Sequence, residues 1–428
     1  MNYQQTFDDP LKLTKLALLL SGINVIDKNI SKAARLAIDS LFFFNLAWLY
    51  MDVIAEFFWL LDGLRIGKSF DELSIIAPCT TICLLSSAKS TALYCKGNIL
   101  KATVKKFKEI NEDIVELANL DDDNKDTNES VGTKTKDYVN RVKDRDIIKK
   151  SVKTLHNVIL IMKCSSVVVV LVFCSLPLLS MAYDVYNYGE TVKKLPFLVK
   201  YFFNPFTEMM WPLVYFHQIC STKIVAIISC FNVFGPDTLF YSFCMYISIN
   251  FDILSRRFTD VVAADDDETR KRLRACVLRH QELIELVNKV EVMYSPSTLC
   301  NIIISSFLIC LSAFNITFIN DIGAVFAFFT FLLMSFSQIS LLCYFGDMIM
   351  TSSVQIYHAV YNCQWYSTSS DIKRSIYIIL IRSQKPCKLT AANFATLNLN
   401  AFTTLNSQIW IYSNIILIQM KCMISYLK

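Results

Sequence analysis

Seven stretches of the chain stay apolar long enough to cross a bilayer: about 36–61, 71–94, 156–182, 211–234, 297–319, 323–345 and 397–420. A hydrocarbon core of about 30 Å needs roughly 20 residues of helix. Only helices or closed barrels satisfy their backbone groups there. The pattern therefore predicts an all-α membrane protein, one seven-helix transmembrane domain over residues 1–428. An earlier apolar run, LTKLALLLSGI, is too short for a span and lacks the small-residue site of a cleavable signal. Between spans two and three a charged stretch runs from Lys96 to Lys153, and its centre, DDDNKDTNESVGTKTKD, predicts a flexible loop. Residues 183–210, with Pro196 and Pro205, predict a folded loop or lid. The segment DTLFYSFCMYISINFDIL (237–254) is apolar but short, and Asn250 and Asp252 interrupt it. It predicts a helix that runs on past the membrane and packs on others, making 235–296 and 346–396 helical anchor segments.

Composition strengthens this picture. Of 428 residues 54% are hydrophobic, mean hydropathy is +0.40, and there are only 9 Gly and 9 Pro, against about 45–50% apolar in soluble domains. Charge then orients the chain. With seven spans, one side carries 32 Lys and Arg and the other 7, counted over the connecting segments. Basic loops face the cytosol, so the N-terminus is expected inside and the C-terminus outside. A G-protein-coupled receptor has the reverse arrangement. Most of the fifteen cysteines, such as Cys79, Cys83, Cys174, Cys230, Cys310 and Cys343, lie in apolar segments without a CxxC pair and read as small, reduced apolar side chains.

Candidate chemistry is sparse. The four histidines, His156, His217, His280 and His358, form no i, i+4 pair, and no phosphate-binding glycine loop or nucleophile elbow is present. No enzyme, cofactor, metal site or nucleic-acid partner is expected. Asp52 and Glu56 share one face of the first span, where ionisable groups are functional candidates or reach a polar neighbour. Arg35 and Asp39, four residues apart, suggest an interfacial pair. The sequon at Asn315 lies within the last turn of a span, too near the bilayer for glycosylation, and those at Asn29 and Asn128 are expected in the cytosol. Aromatics gather toward the outer halves of the spans: Phe70, Tyr183, Trp211, Tyr215, Phe314, Phe326 and Phe329. They suit either an interfacial belt or an apolar ligand pocket.

The last span is polar on one side. On a helical wheel Asn393, Thr396, Asn400, Thr403, Thr404, Ser407 and Asn414 form one stripe, with Phe402, Leu405, Ile409 and Ile416 opposite; Asn398, Asn406 and Gln408 are outliers. Two readings stand open. Copies of the stripe around an axis would line a water-filled pore, or the stripe bonds to neighbouring helices of its own subunit.

The stretch YHAVYNCQWYSTSSDIKRSIYIILIRSQKPCKLTAANFATLNLNAFTTLNSQIW (357–410) resembles the insect odorant receptor family. The resemblance rests on Tyr361, Trp365, Tyr366, Gln384, Lys385, Pro386, Leu389, Thr390, Ala391, Phe402 and Leu405, with GPDTLFYSFCMYISINFDIL as a second, weaker match. It implies an odorant-gated, non-selective cation channel in the membrane of an olfactory neuron dendrite. It implies a heterotetramer with the shared odorant receptor co-receptor, and a small volatile hydrophobic ligand in an outer-leaflet pocket among spans two to six. The last span would line the pore, with Tyr412, Ile415 and Gln419 at the gate and Ser407 and Asn414 along the path. Tyr361, Trp365, Pro386 and Phe402 would belong to the subunit anchor, with Leu389–Ala401 its turn and short helix. The family's Ser-Tyr-Ser-Tyr run reads QIWIYSN here, with Trp410 at the first tyrosine. A gustatory receptor of the same superfamily is the alternative within that group. A secondary transporter would show an internal repeat, and none is evident.

Overall fold

The computed structural model describes residues 3–25, 31–68, 70–74, 76–119, 131–188, 207, 209–318, 322–405 and 407–408. They form ten α-helices in chain order: α1 (Tyr3–Leu20), α2 (Lys32–Ile66), α3 (Phe70–Ser74), α4 (Ala77–Cys95), α5 (Gly97–Asn119), α6 (Val131–Tyr188), α7 (Met210–Thr259), α8 (Asp266–Phe318), α9 (Ile322–Asn362) and α10 (Ser370–Ser383). A two-strand ribbon, β1 (Thr390–Ala391) and β2 (Ala395–Thr396), follows, and residues 399–405 begin a further helix. Five helical stretches are long and apolar enough to cross a membrane: Lys32–Ile66, Glu72–Cys95, Asp144–Val169, Asp266–Thr317 and Val325–Asn362. These overlap the stretches expected as spans one, two, three, five and six, the third only over residues 156–169. The fourth, 211–234, is continuous helix at the start of α7.

The helices outrun any bilayer. At 1.5 Å per residue the 53 residues of α8 reach about 80 Å, more than twice the roughly 30 Å of hydrocarbon. The surplus is the charged half, Arg270 to Glu291. It begins at Asp265, whose carboxylate accepts from Glu268 N (3.3 Å), with three acids in the first turn where the helix dipole favours them. Residues 237–254 continue α7 through Pro236 and are buried on almost every side. Residues 131–137, expected as loop, are instead the opening turns of α6. Extending a helix costs little once a long apolar stretch has nucleated it.

Most of the core lies in these extensions. Phe240, Tyr241, Phe251 and Phe258 of α7 pack with Leu283, Leu286 and Val290 of α8, Phe345, Ile349 and Ile356 of α9, and Ile372 and Ile376 of α10. By contrast α2 exposes Phe43, Phe44, Ile54, Phe57 and Phe58, as suits a helix whose solvent is lipid. Its inner face meets α4 through Phe42, stacked on Tyr94 at 4.0 Å. Asp39 accepts from Tyr94 OH at 3.2 Å, so its partner stands across the helix pair rather than at Arg35.

One ion pair ties α4 to α7. Lys89 Nζ donates to both carboxylate oxygens of Asp237 at 2.8 Å, and the two side chains are 4% and 7% exposed. Around it, Thr14 donates to Thr238 (3.0 Å) and Tyr294 OH to the Pro236 carbonyl (3.2 Å). These bonds join α1 and α8 to the same point. A Cβ on Gly235 would stand 3.0 Å from Leu18, so the missing side chain is what lets α1 close in. Neither charge can be shed into water, and removing one strands the other. We therefore expect Lys89→Met or Asp237→Asn to cost about 3–5 kcal/mol, and the double change to apolar residues to recover most of it, read as thermal unfolding in detergent.

In the same core, His280 meets Phe251 and Phe258 edge-on at 6.3 Å. Burial, helped by Arg382, lowers it from 6.5 to about 4. The folded state thus binds fewer protons than the unfolded one. This contribution is complete above pH 6.5 and is lost as pH falls from 6.5 toward 4. His280→Phe should flatten the dependence of melting temperature on pH in that window; an unchanged slope would assign it to other groups.

Candidate functional site

The last helix starts from a small, tightly bonded root. The chain leaves α10 at Gln384, and Cys387 N donates to Ser353 Oγ of α9 (3.0 Å). The ribbon then pairs Thr390 with Thr396 and Ala391 with Ala395. At its tip Ala392 and Asn393 both have positive φ, 48° and 62°, and Phe394 N returns to Ala391 O at 2.9 Å, the geometry of a type I′ turn. Asn tolerates this region; Ala does so at a cost. External bonds hold it there. Ala392 N donates to Ser295 Oγ (2.8 Å), Thr390 N to Glu291 Oε2 (2.8 Å), and Thr390 Oγ1 to Glu291 Oε1. One carboxylate of α8 therefore takes both donors of a single threonine. The turn expected over Leu389–Ala401 is present, and a ribbon stands where a short helix was expected.

On its other flank the root presses against α9. A Cβ on Gly346 would lie 2.5 Å from the Leu397 carbonyl oxygen, so only glycine permits the approach. Asn398 then caps the new helix, its Oδ1 accepting from Ala401 N at 2.7 Å. This accounts for one amide that fell off the polar stripe: it is a cap, a role that wheel geometry does not show. Leu399 N faces Asp347 Oδ1 at 3.5 Å.

Beyond the cap the helix has two faces. Phe402 packs on Ile309, Ile339 and Cys343, and meets the Phe336 ring edge-on at 5.4 Å. Leu405 packs on the main core. Asn400, Thr403, Thr404 and Ser407 are exposed. The hydroxyls of the last three turn back to carbonyls of their own helix at 2.8–2.9 Å. Among the described residues, Asn400, Thr403, Thr404 and Ser407 thus lean on no other helix of their own chain. Asn414 and the gate residues Tyr412, Ile415 and Gln419 lie outside the described residues.

The other anchor residues separate by environment. Trp365 packs on the core, whereas Tyr361 and Pro386 are exposed. Among the pocket residues, Trp211 and Tyr215 stack at 5.0 Å, one turn apart on α7, and Trp211 Nε1 and Tyr215 OH are buried without a partner among the described residues. Phe314 is buried on α8. Phe326 and Phe329 stand 51% and 48% exposed on the open side of α9 and do not join the Trp211–Tyr215 stack in a closed cluster. Phe70 opens α3 and Tyr183 lies near the end of α6; their side chains are outside the described set.

Two polar features noted in the sequence find partners within the bundle. Glu56 is buried and accepts from Thr80 of α4, while Asp52 Oδ2 is buried and unpartnered. Asn315 is buried, accepts from Ser74 Oγ and donates to Ser74 O, so that sequon is spent on packing.

The profile of the 7tm odorant receptor family matches residues 75–408, more than three quarters of the chain. The chain belongs to that family. Drosophila melanogaster odorant receptor 13a is 27% identical over 260 residues, 56% of this chain and 60% of that one. The odorant receptor co-receptor of Ooceraea biroi is 29% identical over 154 residues, 36% of this chain and 32% of that one. The matched part thus spans less than two thirds of these curated relatives. The olfactory receptor OR5 of Machilis hrabei, solved in complex with eugenol, superposes with a TM-score of 0.75 at 17% identity, covering 97% of this chain and 98% of that one. Without ligand the same receptor gives 0.72. This odorant receptor therefore shares that fold along almost its whole length.

We expect Gly346→Ala to push Leu397 off α9 at about 1–3 kcal/mol, and Asn398→Ala to cost about 1 kcal/mol by uncapping the helix. Both should lower the melting temperature of the purified receptor. Unchanged melting for Gly346→Ala would mean the root is not clamped there.

Proposed function

We propose that this odorant receptor is the ligand-binding subunit of an odorant-gated cation channel, assembled as a tetramer with the odorant receptor co-receptor in the cell membrane. The observation that carries the reading is the split last helix: Phe402 and Leu405 fasten it to its own subunit, and Asn400, Thr403, Thr404 and Ser407 are left open. Polar groups at membrane depth need protein or water, and a central water-filled path shared by several subunits supplies it. The similarity to co-receptors supports partnership with one.

On this reading the N-terminus and the long charged extensions lie in the cytosol. Tyr412, Ile415 and Gln419 form the gate, with Ser407 and Asn414 along the path. A small volatile, apolar apart from one or two polar atoms, enters an outer-leaflet pocket. Trp211 and Tyr215 offer it an aromatic wall and two unspent donors; Phe70, Tyr183 and Phe314 extend the wall, and Phe326 and Phe329 stand at its rim. Burial of the ligand supplies affinity at about 25 cal/mol per Å². Preference for the open state supplies gating.

Co-expressed with a co-receptor, the chain should yield cation currents to part of an odorant panel that the co-receptor alone does not give. Ser407→Cys should make those currents sensitive to a water-soluble thiol reagent, and Leu405→Cys should not. Absence of any odorant-evoked current, with both chains at the surface, would sink the proposal.

A further inference from the structure

Where α6, α7 and α9 leave the apolar layer they part around a cavity of about 320 Å³. Two carboxylates line it from facing helices, Asp252 of α7 and Asp347 of α9. Ser248 and Ser352, both buried, bond to each other beside Asp252. Oδ1 of Asp252 is nevertheless shut away from solvent without a donor. Burial holds this carboxyl above its usual range in spite of Ser352 and of Arg256 one turn away. Arg256 itself is bonded to Asp144 at 3.0 Å, so it acts on Asp252 only through space. An acceptor in that position lacks a donor, which a cation bearing N–H groups would supply.

The walls say which kind. Among the described residues no three His, Cys, Asp or Glu side chains converge as a metal would need. The cavity is also far roomier than a bare ion requires. Met245, Ile249 and Met348 line it beside the carboxylates, an arrangement of acceptors and thioethers that suits a charged head on a short methylene stem. We propose that this cavity binds a short aliphatic ammonium ion, its head held by Asp252 and Asp347 and its stem lying along Met245 and Met348. Resting on the orientation proposed above, the site opens to the cytosol.

It also reaches the last helix. Asp347 is the carboxylate that faces Leu399 N at the helix start. A bound ammonium competes for that oxygen, so occupancy and the position of the last helix are linked, and each must alter the other.

The probe is 1,4-diaminobutane, applied to the purified full-length receptor with its co-receptor. It should raise the melting temperature of the receptor. Asp252→Asn should raise the concentration needed by about tenfold or more. Thr351→Trp, which fills the cavity from its lining and leaves both carboxylates in the chain, should abolish the shift and guards against a folding defect in the first variant. No shift in the wild-type receptor, or equal shifts in both variants, overturns the proposal. In excised patches the diamine on the cytosolic face should move the odorant concentration for half-maximal current at least threefold. The same movement in Thr351→Trp would mean pore block and would also overturn it. Because melting needs no current, a silent channel that still shows the variant-dependent shift would count against the channel reading and leave the site standing.

Discussion

Lipid tails are as apolar as leucine, so burying a leucine between two helices inside a bilayer gains almost nothing from the hydrophobic effect. A chain with this much apolar surface must find its cohesion elsewhere. It does so by making α7, α8 and α9 far longer than a bilayer and packing the surplus into a core of the soluble kind, around Phe240, Phe251, Phe258 and Phe345. Within the apolar halves the apolar clusters are small, and buried polar bonds such as Thr80 to Glu56 and Ser74 to Asn315 add to them. The Lys89–Asp237 pair stands where the two regimes meet, next to the bonds that bring α1 and α8 to α7.

That division frees the last helix from having to hold the subunit together. Its root is secured by hydrogen bonds that it donates to Glu291, Ser295 and Ser353 and by a contact at Gly346 that admits no side chain. Two apolar residues then suffice to keep its first turns on the bundle. The opposite face is released for whatever the assembled protein requires of it. A helix whose every face served packing would have no side to offer.

Length and period carried most of the fold. The apolar windows of α2, α4, α6, α8 and α9 are strong signals, and Asn250 and Asp252 interrupt an apolar run that α7 carries on as buried helix. What the sequence hid was pairing at a distance. Lys89 could be seen as a lone cation in an apolar window, but its partner lies 148 positions away; two opposite charges in apolar surroundings were the available clue. The ribbon at 390–396 was invisible because Ala392 adopts a left-handed backbone that its side chain disfavours, held by Ser295 from another helix. Asn398 looked like an exception on the wheel because a wheel has no ends, and capping is a property of ends. The aromatics divided only in three dimensions: Trp211 and Tyr215 keep unspent polar atoms inside, whereas Phe326 and Phe329 stand outward.

The clamp at Gly346 and Glu291 makes the start of the last helix a fulcrum. A rod pivoting about one fixed end magnifies small rotations: a tilt of about 5° over the roughly 15 Å from residue 399 to 408 already displaces the far end by about 1.3 Å, close to the radius of a water molecule. Stiffness at the hinge and freedom at the tip are then two aspects of one lever, and softening the pivot would blur the motion at the tip rather than enlarge it.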